Sequence, residues 1–397
     1  MTHTALLEPA PARSADTTRL TDPADAPAPA APAVARCFIR GVGTAAPETR
    51  YSKAECLAAF ERSNWFNRLD ARAHFIARTV LQRDNGIEHR RLAVDSLDEV
   101  FQIDPDTLAR RFITHAPVLA SGAARRALVD AGLEPADIGA VVVSTCTGYL
   151  CPGLSGYVVE RLGLPSNVQA FDLVGQGCGA ALPNMQLGRA LLGSNAAEHV
   201  LSICVEVSSA AMYLDNDPGV LVSACLFGDG AGAVVLSRKP RASGDGEGAL
   251  SVRRTLEWID SSSLMLTEQR EALRIESRQG LQRNILTRAV PALAAEYAEQ
   301  LLHTVLPRHG LAPSDLATWV LHAGGRDVLQ AVQRRIEPPV GALRHSTAML
   351  REYGNLSSAF IYFVLEAALA DDPPSGWWWL AAFGAGFSSH GALLRVR

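Results

Sequence analysis

The sequence predicts an α/β protein, in which strands and helices alternate along the chain and pack in layers. Several runs are continuously apolar and rich in β-branched residues, as expected of strands buried on both faces, and IGAVVVSTC at 138–146 is the clearest. Stretches with the 3.6-residue periodicity of helices lie between these runs. A short motif also recurs, FGDG at 227–230 and FGAG at 383–386, each time before a strand-like run. This recurrence suggests that the fold contains two duplicated halves.

The first half of the chain is predicted to contain five strands and three helices. One helix begins in SKAECLAAFER, with the Ser52 hydroxyl as its predicted N-cap. The other two helices cover 107–132 and 179–194, where apolar residues recur at helical spacing. The predicted strands are 37–43, 138–146, 168–174, 199–207 and 230–238.

A break rich in glycine and charged residues at 238–248 is typical of a linker, and similar elements follow it. A helix at 290–310 ends at Gly310, because glycine tolerates the left-handed conformation common at helix C-termini. A second, apolar helix begins near Asn355 and continues to 370. The strands predicted in this half are 251–260, 317–325, 377–386 and 391–397.

The composition excludes several classes of protein. Of the 397 residues, 48% are hydrophobic and 20% are charged, which is enough for a large buried core. The formal charge of −4 argues against a nucleic-acid partner, and no apolar run is long enough to cross a membrane. Seven cysteines without a CxxC pair predict free thiols in a reducing compartment and no structural metal site.

The N-terminal segment 1–35 is predicted to be a disordered tail. It contains eleven alanines and six prolines, so it cannot bury much apolar surface. It lacks the basic start and the continuous apolar core of a signal peptide, and the sequence therefore predicts a cytoplasmic protein. Ordered structure is expected to begin near Cys37.

Cys178 is the strongest candidate for chemistry. The sequence FDLVGQGCGA places it between a strand and a helix, in a turn that contains three glycines. Unpaired N–H groups and the positive end of the helix dipole favour a thiolate at such a position. The glycines let the backbone turn sharply and let a substrate approach. Taken alone, the residue could instead be a buried structural cysteine.

Two further candidates stand at similar junctions. His322 lies at the end of a predicted strand, where open α/β sheets place their active sites, although a lone histidine is more often structural. Asn355 stands at the start of an apolar helix, where it could be an N-cap or a donor to a developing oxyanion. Together, the cysteine, the histidine and the asparagine form a set suited to acyl transfer. Papain-like proteases have the same order of residues, but their cysteine lies in a different local motif near the mature N-terminus.

Five segments resemble the type III polyketide synthases, the chalcone-synthase-like branch of the thiolase superfamily, and the resemblance extends from Cys37 to Arg397. They are DLVGQGCGA around Cys178, LFGDGAGAVV at 226–235, VLHAGG at 320–325, EYGNLSSA at 352–359 and AAFGAGFSSHGALL at 381–394. The resemblance implies a thiolase-like five-layer αβαβα fold, with the nucleophile in a half at 36–240 and the histidine and asparagine in a half at 241–397. It also implies an acyltransferase that acts as a homodimer on acyl-CoA and malonyl-CoA without a metal or prosthetic group.

The family's functional residues match positions of this chain. Cys178 matches the nucleophile that holds the growing chain, and His322 matches the histidine that, as an imidazolium, stabilises its thiolate. Asn355 matches the asparagine that binds the malonyl thioester carbonyl together with that histidine. Phe227 matches a gatekeeper between the CoA tunnel and the cavity, and Ser357 matches a small residue near the catalytic pocket. The residues that match segments lining the CoA entrance and the cavity are Gly324, Gly325, Phe383, Gly384 and Gly386.

Other positions depart from the plant pattern. Cys146 and Ala211 fall where plant enzymes carry threonines that shape the cavity, Cys151 falls near a cavity position, and GLQRNIL at 280–286 lacks a second gatekeeper phenylalanine. Arg78 and Arg90 are candidates for the basic residues that the family has at the tunnel mouth. The motifs are more similar to those of bacterial members that make alkylresorcinols, alkylpyrones or related phenolics, so a fatty acyl starter is expected.

Two alternative functions stay open at this point. A ketoacyl-ACP synthase III-like enzyme has the same fold and the same Cys-His-Asn set, but it condenses once and accepts an acyl carrier protein. A non-catalytic acyl-binding protein on the same fold is the other alternative. The presence of Cys178, His322 and Asn355 argues against the latter.

Overall fold

The structure of the protein is a computed structural model that describes residues 36–240, 254–371 and 374–397. The predicted tail at 1–35 and most of the predicted linker at 238–248 lie outside the described residues. Within the described ranges, no helix is both long enough and apolar enough to cross a membrane.

The elements of the first half follow the predicted order, with short elements added between them. Ser52 caps the first helix as predicted, in a capping box with Glu55. The long helix α3 begins after the N-cap Asp104 and ends at Gly132, which has the left-handed conformation expected there (φ 62°). The elements are β1 (Cys37–Ala45), β2 (Arg50–Ser52), α1 (Lys53–Arg62), α2 (Ala71–Gln82), β3 (His89–Arg91), α3 (Pro105–Ala131), β4 (Ala140–Ser144), α4 (Leu154–Leu162), β5 (Gln169–Asp172), α5 (Ala181–Gly193), β6 (His199–Glu206), α6 (Pro218–Leu226) and β7 (Gly230–Ser237).

The second half contains a polar hairpin and two amphipathic helices that the sequence analysis did not predict. Gly310 ends its helical segment in the left-handed conformation, as predicted (φ 65°). Asn355 is not the N-cap of the apolar helix, which begins five residues later at Phe360. The elements are β8 (Leu256–Met265), β9 (Leu273–Arg278), β10 (Leu281–Leu286), α7 (Val290–Val305), β11 (Leu316–Leu321), α8 (Arg326–Ile336), α9 (Arg344–Tyr353), α10 (Phe360–Ala370), β12 (Gly376–Gly384) and β13 (Ser388–Val396).

The strand order shows the duplication directly. In the first half the order is β1-β7-β6-β4-β5, and in the second it is β8-β13-β12-β11. The corresponding pairs run in the same sense, because β4/β6 and β11/β12 are parallel while β6/β7 and β12/β13 are antiparallel. The two halves meet where residues 37–39 of β1 pair with residues 256–258 of β8. Only β5 has no counterpart among the described strands of the second half.

The helices complete five layers. Helices α3 and α4 pack on the first half of the sheet, and α7, with α8 beside it, packs on the second. Helices α5 and α10 contact strands of both halves and so form the middle layer. Close packing depends on small residues: a Cβ at Gly43 would lie 2.4 Å from the Ala127 backbone nitrogen of α3. The thiolase-like αβαβα fold is therefore confirmed, whereas a boundary between halves at 240/241 stays a prediction.

Candidate active site

The Cys178 turn lies between β5 and the middle-layer helix α5, as predicted. Gly175 and Gly177 have positive φ angles of 81° and 56°, which explains why glycine stands at both positions. Gly384, at the end of β12, packs directly on this turn: a Cβ on Gly384 would lie 2.9 Å from the Gly179 nitrogen. The second half of the fold therefore supports the turn that carries the nucleophile.

His322 immediately follows β11, and its backbone N–H donates to the Ala381 carbonyl of β12 at 2.9 Å. Its side chain is buried, and the ring meets the edge of Phe360 with centroids 5.5 Å apart. Nδ1 has no hydrogen-bond partner among the described residues. The imidazole is therefore held by packing rather than by a carboxylate partner.

Asn355 is fixed by two hydrogen bonds of its amide. The Ser357 N–H donates to Asn355 Oδ1 at 2.8 Å, and Nδ2 donates to the Gly324 carbonyl at 3.2 Å. A Cβ on Gly324 would lie 3.9 Å from His322 Nε2 and 4.0 Å from Asn355 Nδ2. Both nitrogens thus converge on the space beside Gly324, where they can donate to one oxyanion.

Ser357 links Cys178 to the part of the site formed by Asn355 and His322. Its hydroxyl lies 3.1 Å from Cys178 Sγ, and its backbone holds the Asn355 amide. Ser357 has a positive φ of 50°, a conformation that costs energy in a non-glycine residue and is concentrated at functional sites. The structure therefore brings together the three predicted catalytic residues, which are far apart in the sequence.

Glu206 is a site residue that the sequence analysis missed. Its buried carboxylate lies at the end of β6 and accepts hydrogen bonds from the Cys146 N–H at 3.1 Å and from Ser358 Oγ, and Ser357 Oγ lies 3.3 Å from it. Burial raises the pKa of this carboxyl above its ordinary value. A single acidic residue in the apolar run HVLSICVEV was the signal that could have identified it.

The electrostatics of the site favour neutral groups in the resting state. Burial raises the pKa of the Cys178 thiol to about 11, partly offset by the hydrogen bond from Ser357. Burial also lowers the pKa of the His322 imidazole to about 4. The expectation of a resting imidazolium–thiolate pair is therefore not supported.

A cavity of about 560 Å³, including the part open to solvent, extends to Ser357, whose hydroxyl contacts Cys178 Sγ. The predicted residues Cys146, Ala211, Phe227 and Ser357 line it. The rest of the wall was not predicted from the sequence, and it is supplied mainly by α6, by the segment before α6 and by the hairpin β9–β10. These additional lining residues include Met212, Tyr213, Val220, Ser223, Ala224, Ile275, Gln282 and Asn284.

Several predicted lining residues lie elsewhere. Cys151 is exposed at the surface, in the turn that leads into α4. The Phe383 side chain is buried in the hydrophobic core at the end of β12. Gly325 is the N-cap residue of α8, and Gly386 lies in the turn between β12 and β13. Neither these residues nor Gly324 and Gly384 line the cavity, although the last two contact the catalytic groups as described above.

The two arginines predicted at a tunnel mouth have other contacts. Arg78 is exposed on α2 and pairs with Glu61 at 2.8 Å. Arg90 is fully buried and donates to the carbonyls of Ala224 at 2.6 Å and Phe227 at 3.0 Å. The prediction for Arg90 is wrong, because its guanidinium closes the C-terminal end of α6 and cannot reach a ligand at the surface.

Metal ligation finds no support in the side-chain arrangement. Among the described residues, no group of three or more His, Cys, Asp or Glu side chains is placed to hold a metal ion.

Comparison with protein families gives two matches. A model described as FAE1/Type III polyketide synthase-like protein matches residues 44–313. A model of the chalcone and stilbene synthases, C-terminal domain, matches residues 263–396.

Similar proteins include three bacterial enzymes. A 3,5-dihydroxyphenylacetyl-CoA synthase of Streptomyces toyocaensis is 30% identical over 86% of this chain and 85% of its own length. A 1,3,6,8-tetrahydroxynaphthalene synthase of Streptomyces peucetius subsp. caesius is 35% identical over 72% of this chain and 74% of its own. An alpha-pyrone synthesis polyketide synthase-like protein of Mycobacterium tuberculosis is 27% identical over 93% of each chain.

Solved structures agree with the fold. PKS-I from the brown alga Ectocarpus siliculosus has a TM-score of 0.79 at 25% identity, with 91% of this chain and 98% of that chain covered. A type III pentaketide synthase from Neurospora crassa has a TM-score of 0.77 at 24% identity, with 91% and 100% covered.

Proposed function

The chain belongs to the type III polyketide synthases, and we propose on that basis that it loads a fatty acyl group from acyl-CoA onto Cys178 and extends it with malonyl-CoA. The observation that carries the proposal is the convergence of Cys178, His322 and Asn355 around Ser357 and Gly324. Each step uses only side chains of this chain and the two CoA thioesters.

Loading begins when Cys178 Sγ attacks the thioester carbonyl of the starter. His322 accepts the thiol proton as the S–C bond forms, because its burial leaves it neutral and able to act as a base. The protonated imidazole then returns the proton to the departing CoA thiolate. The starter is left as a thioester on Cys178.

Extension requires an enolate. Malonyl-CoA places its thioester carbonyl beside Gly324, where His322 Nε2 and Asn355 Nδ2 can both donate to the oxygen. Loss of CO₂ leaves the electron pair on the enolate, whose oxygen these donors stabilise, and one such donor is typically worth about 3 kcal/mol. The enolate carbon attacks the Cys178 thioester and expels the Cys178 thiolate, which leaves the lengthened chain as a β-ketoacyl-CoA. The Cys178 thiolate then attacks the thioester of that product, takes up the lengthened chain and releases CoA.

The cavity supports a fatty acyl starter and a ring-forming product. Apolar side chains such as Met212, Val220 and Ile275 line its wall and would hold an alkyl chain away from water. Phe227 lies at the wall and is held by backbone hydrogen bonds, which suits the proposed gatekeeper. We propose a resorcinol, a pyrone or a related phenolic as the cyclised product.

We further propose that two copies form a homodimer through β5. This strand lies at the end of the sheet, and all four of its residues are exposed in the single chain. Phe171 on the strand and Val174 just after it are exposed apolar side chains, and an unpaired strand edge is a template for another strand. Light scattering of the purified protein tests this proposal, and a cytoplasmic location stays a prediction.

Incubation with a panel of acyl-CoA starters and malonyl-CoA, without an acyl carrier protein, tests the function. We expect cyclised products that contain the starter and several two-carbon units, with the highest kcat/KM for long alkyl starters. A product from a single condensation, or a requirement for acyl carrier protein, would contradict the proposal.

A further inference from the structure

The hydroxyl of Ser357 has three hydrogen-bond partners. Its Oγ lies 3.1 Å from Cys178 Sγ and 3.3 Å from Glu206 Oε1, the two acceptors, and 3.3 Å from Cys146 Sγ, a thiol that can donate to it. A hydroxyl has one hydrogen, so it can donate to the Cys178 sulfur or to the carboxylate but not to both. The acceptor that receives this hydrogen decides whether the Cys178 thiolate has a hydrogen-bond donor.

The surroundings of Glu206 make ionisation of its carboxyl group costly. The carboxylate is fully buried, and its contacts are the Cys146 N–H and Sγ and the hydroxyls of Thr145, Ser357 and Ser358. Among the described residues, no Lys, Arg or His forms a hydrogen bond or an ion pair with it. A buried carboxylate without a cation holds its negative charge at a cost, and that charge competes directly for nearby donors.

The titratable groups facing this carboxylate are thiols. Cys146 follows β4, Cys178 precedes α5, and Cys204 lies on β6 itself. The segment after Asn355 contributes only the hydroxyls of Ser357 and Ser358. Glu206 is therefore the one carboxylate in contact with Ser357 among the described residues.

We propose that Glu206 is a positioning residue that controls the Cys178 thiolate through the direction of the Ser357 hydroxyl. When the carboxyl is neutral, the hydroxyl donates to Cys178 Sγ and stabilises its thiolate. When the carboxyl is ionised, the hydroxyl turns to Oε1 and the thiolate loses that donor. The inference rests on the proposed function only in taking Cys178 as the nucleophile.

The proposal predicts how donation from Ser357 to Cys178 changes with pH. Because burial raises the pKa of Glu206, the carboxyl keeps its proton to a higher pH than an exposed glutamate does. The donor is therefore directed at Cys178 below that pKa and is withdrawn as the pH rises through it. In Glu206→Gln the side chain is neutral at every pH, so the withdrawal cannot occur.

Site-resolved alkylation tests this inference in the intact protein. Iodoacetamide is the probe, and the rate of modification at Cys178 is followed by peptide mass spectrometry from about pH 6 to about pH 10. At about pH 8 we expect Glu206→Gln to raise the rate about tenfold, the effect of one hydrogen bond to a charged group. In a Ser357→Ala chain, the same substitution should change the rate less than about twofold, because the hydroxyl that transmits the effect is absent.

Two further variants keep the test decisive. Ser357→Gly, alone and combined with Glu206→Gln, repeats the comparison if the alanine variant folds poorly. Glycine adopts the φ of 50° at this position without strain. Glu366→Gln is the control, because Glu366 is a half-buried carboxylate whose partner is Thr44, and this substitution should leave the Cys178 profile unchanged.

An increase of the same size with and without the Ser357 hydroxyl would show a direct field effect and would overturn the inference, as would no increase at all. Turnover of acyl-CoA and malonyl-CoA is measured on the same samples. Normal products, together with a Glu206→Gln effect that does not depend on the Ser357 hydroxyl, would refute the inference alone. An effect that does depend on that hydroxyl, without products, would support the inference and count against the proposed function.

Discussion

The backbones of Phe227 and Asn355 pair side by side in a parallel bridge. The Gly228 N–H donates to the Asn355 carbonyl at 3.0 Å, and the Asn355 N–H donates to the Leu226 carbonyl at 2.9 Å. The cavity wall of the first half and the oxyanion donor of the second are therefore fixed to each other by backbone bonds. These backbone bonds do not depend on the Asn355 side chain, so the segment should keep its position when Asn355 is substituted, although the Ser357 N–H and the Gly324 carbonyl lose their partners.

The first prediction concerns this donor. Asn355→Ala removes Nδ2, so the rate of malonyl-CoA decarboxylation should fall about 10²- to 10³-fold while the starter still loads on Cys178. Release of ¹⁴CO₂ from labelled malonyl-CoA measures the step. Asn85→Ala is a matched control, because that amide also bonds to backbone groups but lies in the turn after α2. Equal losses in the two variants would exclude the proposed role of Asn355.

The second prediction separates the two arginines. Arg90→Met should lower the free energy of unfolding by about 1–3 kcal/mol, because the carbonyls of Ala224 and Phe227 lose a buried donor. Arg78→Met removes only an exposed ion pair with Glu61 and should change the free energy of unfolding by less than about 1 kcal/mol. Urea unfolding measures both. An unchanged stability of Arg90→Met together with a raised KM for CoA thioesters would restore the tunnel-mouth assignment.

The third prediction concerns the size of the cavity. Ala211 lines it, so Ala211→Phe should reduce the space for the starter and lower kcat/KM for long alkyl starters about tenfold or more relative to short ones. Val340→Phe introduces the same side chain at an exposed position and should leave the ratio unchanged. Competition between long and short acyl-CoA in one reaction gives the ratio. An unaltered ratio in Ala211→Phe would mean that the starter does not occupy this cavity.

The fourth prediction uses a second buried histidine. His390 lies beside the Cys178 turn, with its Cδ2 3.1 Å from where a Cβ on Gly179 would stand, and burial lowers its pKa to about 4. At pH values between this lowered pKa and the ordinary pKa of histidine, His390 binds a proton in the unfolded chain but not in the folded chain. Stability conferred by the neutral imidazole is thus complete above about pH 6.5 and is lost as the pH falls, by up to about 3 kcal/mol.

His390→Gln removes this titration. Its free energy of unfolding, relative to that of the unaltered protein, should therefore improve as the pH falls from about 7 to about 5. Urea unfolding of both proteins at the two pH values measures the difference. Parallel pH dependence in the two proteins would show that His390 already has an ordinary pKa in the folded state.

The sequence was sufficient to predict the parts of the site that lie at junctions between elements. Cys178, His322 and Asn355 each lie within two residues of a glycine at the edge of an apolar run, and such positions can be recognised in the sequence alone. The cavity wall was not predictable in the same way. Tyr213, Ser223 and Asn284 carry no local signal, since the wall forms only when α6 meets the hairpin β9–β10.

Polarity explains the remaining errors. The hairpin β9–β10 lacks the apolar alternation of a buried strand, because ion pairs such as Arg283 with Asp217 stabilise it instead. Arg90 was predicted at the tunnel mouth because the family has basic residues there. Arginine is seldom buried without a carboxylate, and here two backbone carbonyls take that place. Glu206 was overlooked because it is a single charged residue within an otherwise apolar strand.

The central claim is that Cys178 carries the growing chain beside His322 and Asn355. The most direct measurement is mass spectrometry of the protein quenched during turnover with acyl-CoA and malonyl-CoA. We predict that the Cys178 peptide carries the starter and the starter lengthened by two-carbon units, and that Cys178→Ala folds normally but forms neither adduct nor product. Adducts on another residue, or undiminished product from Cys178→Ala, would contradict the claim.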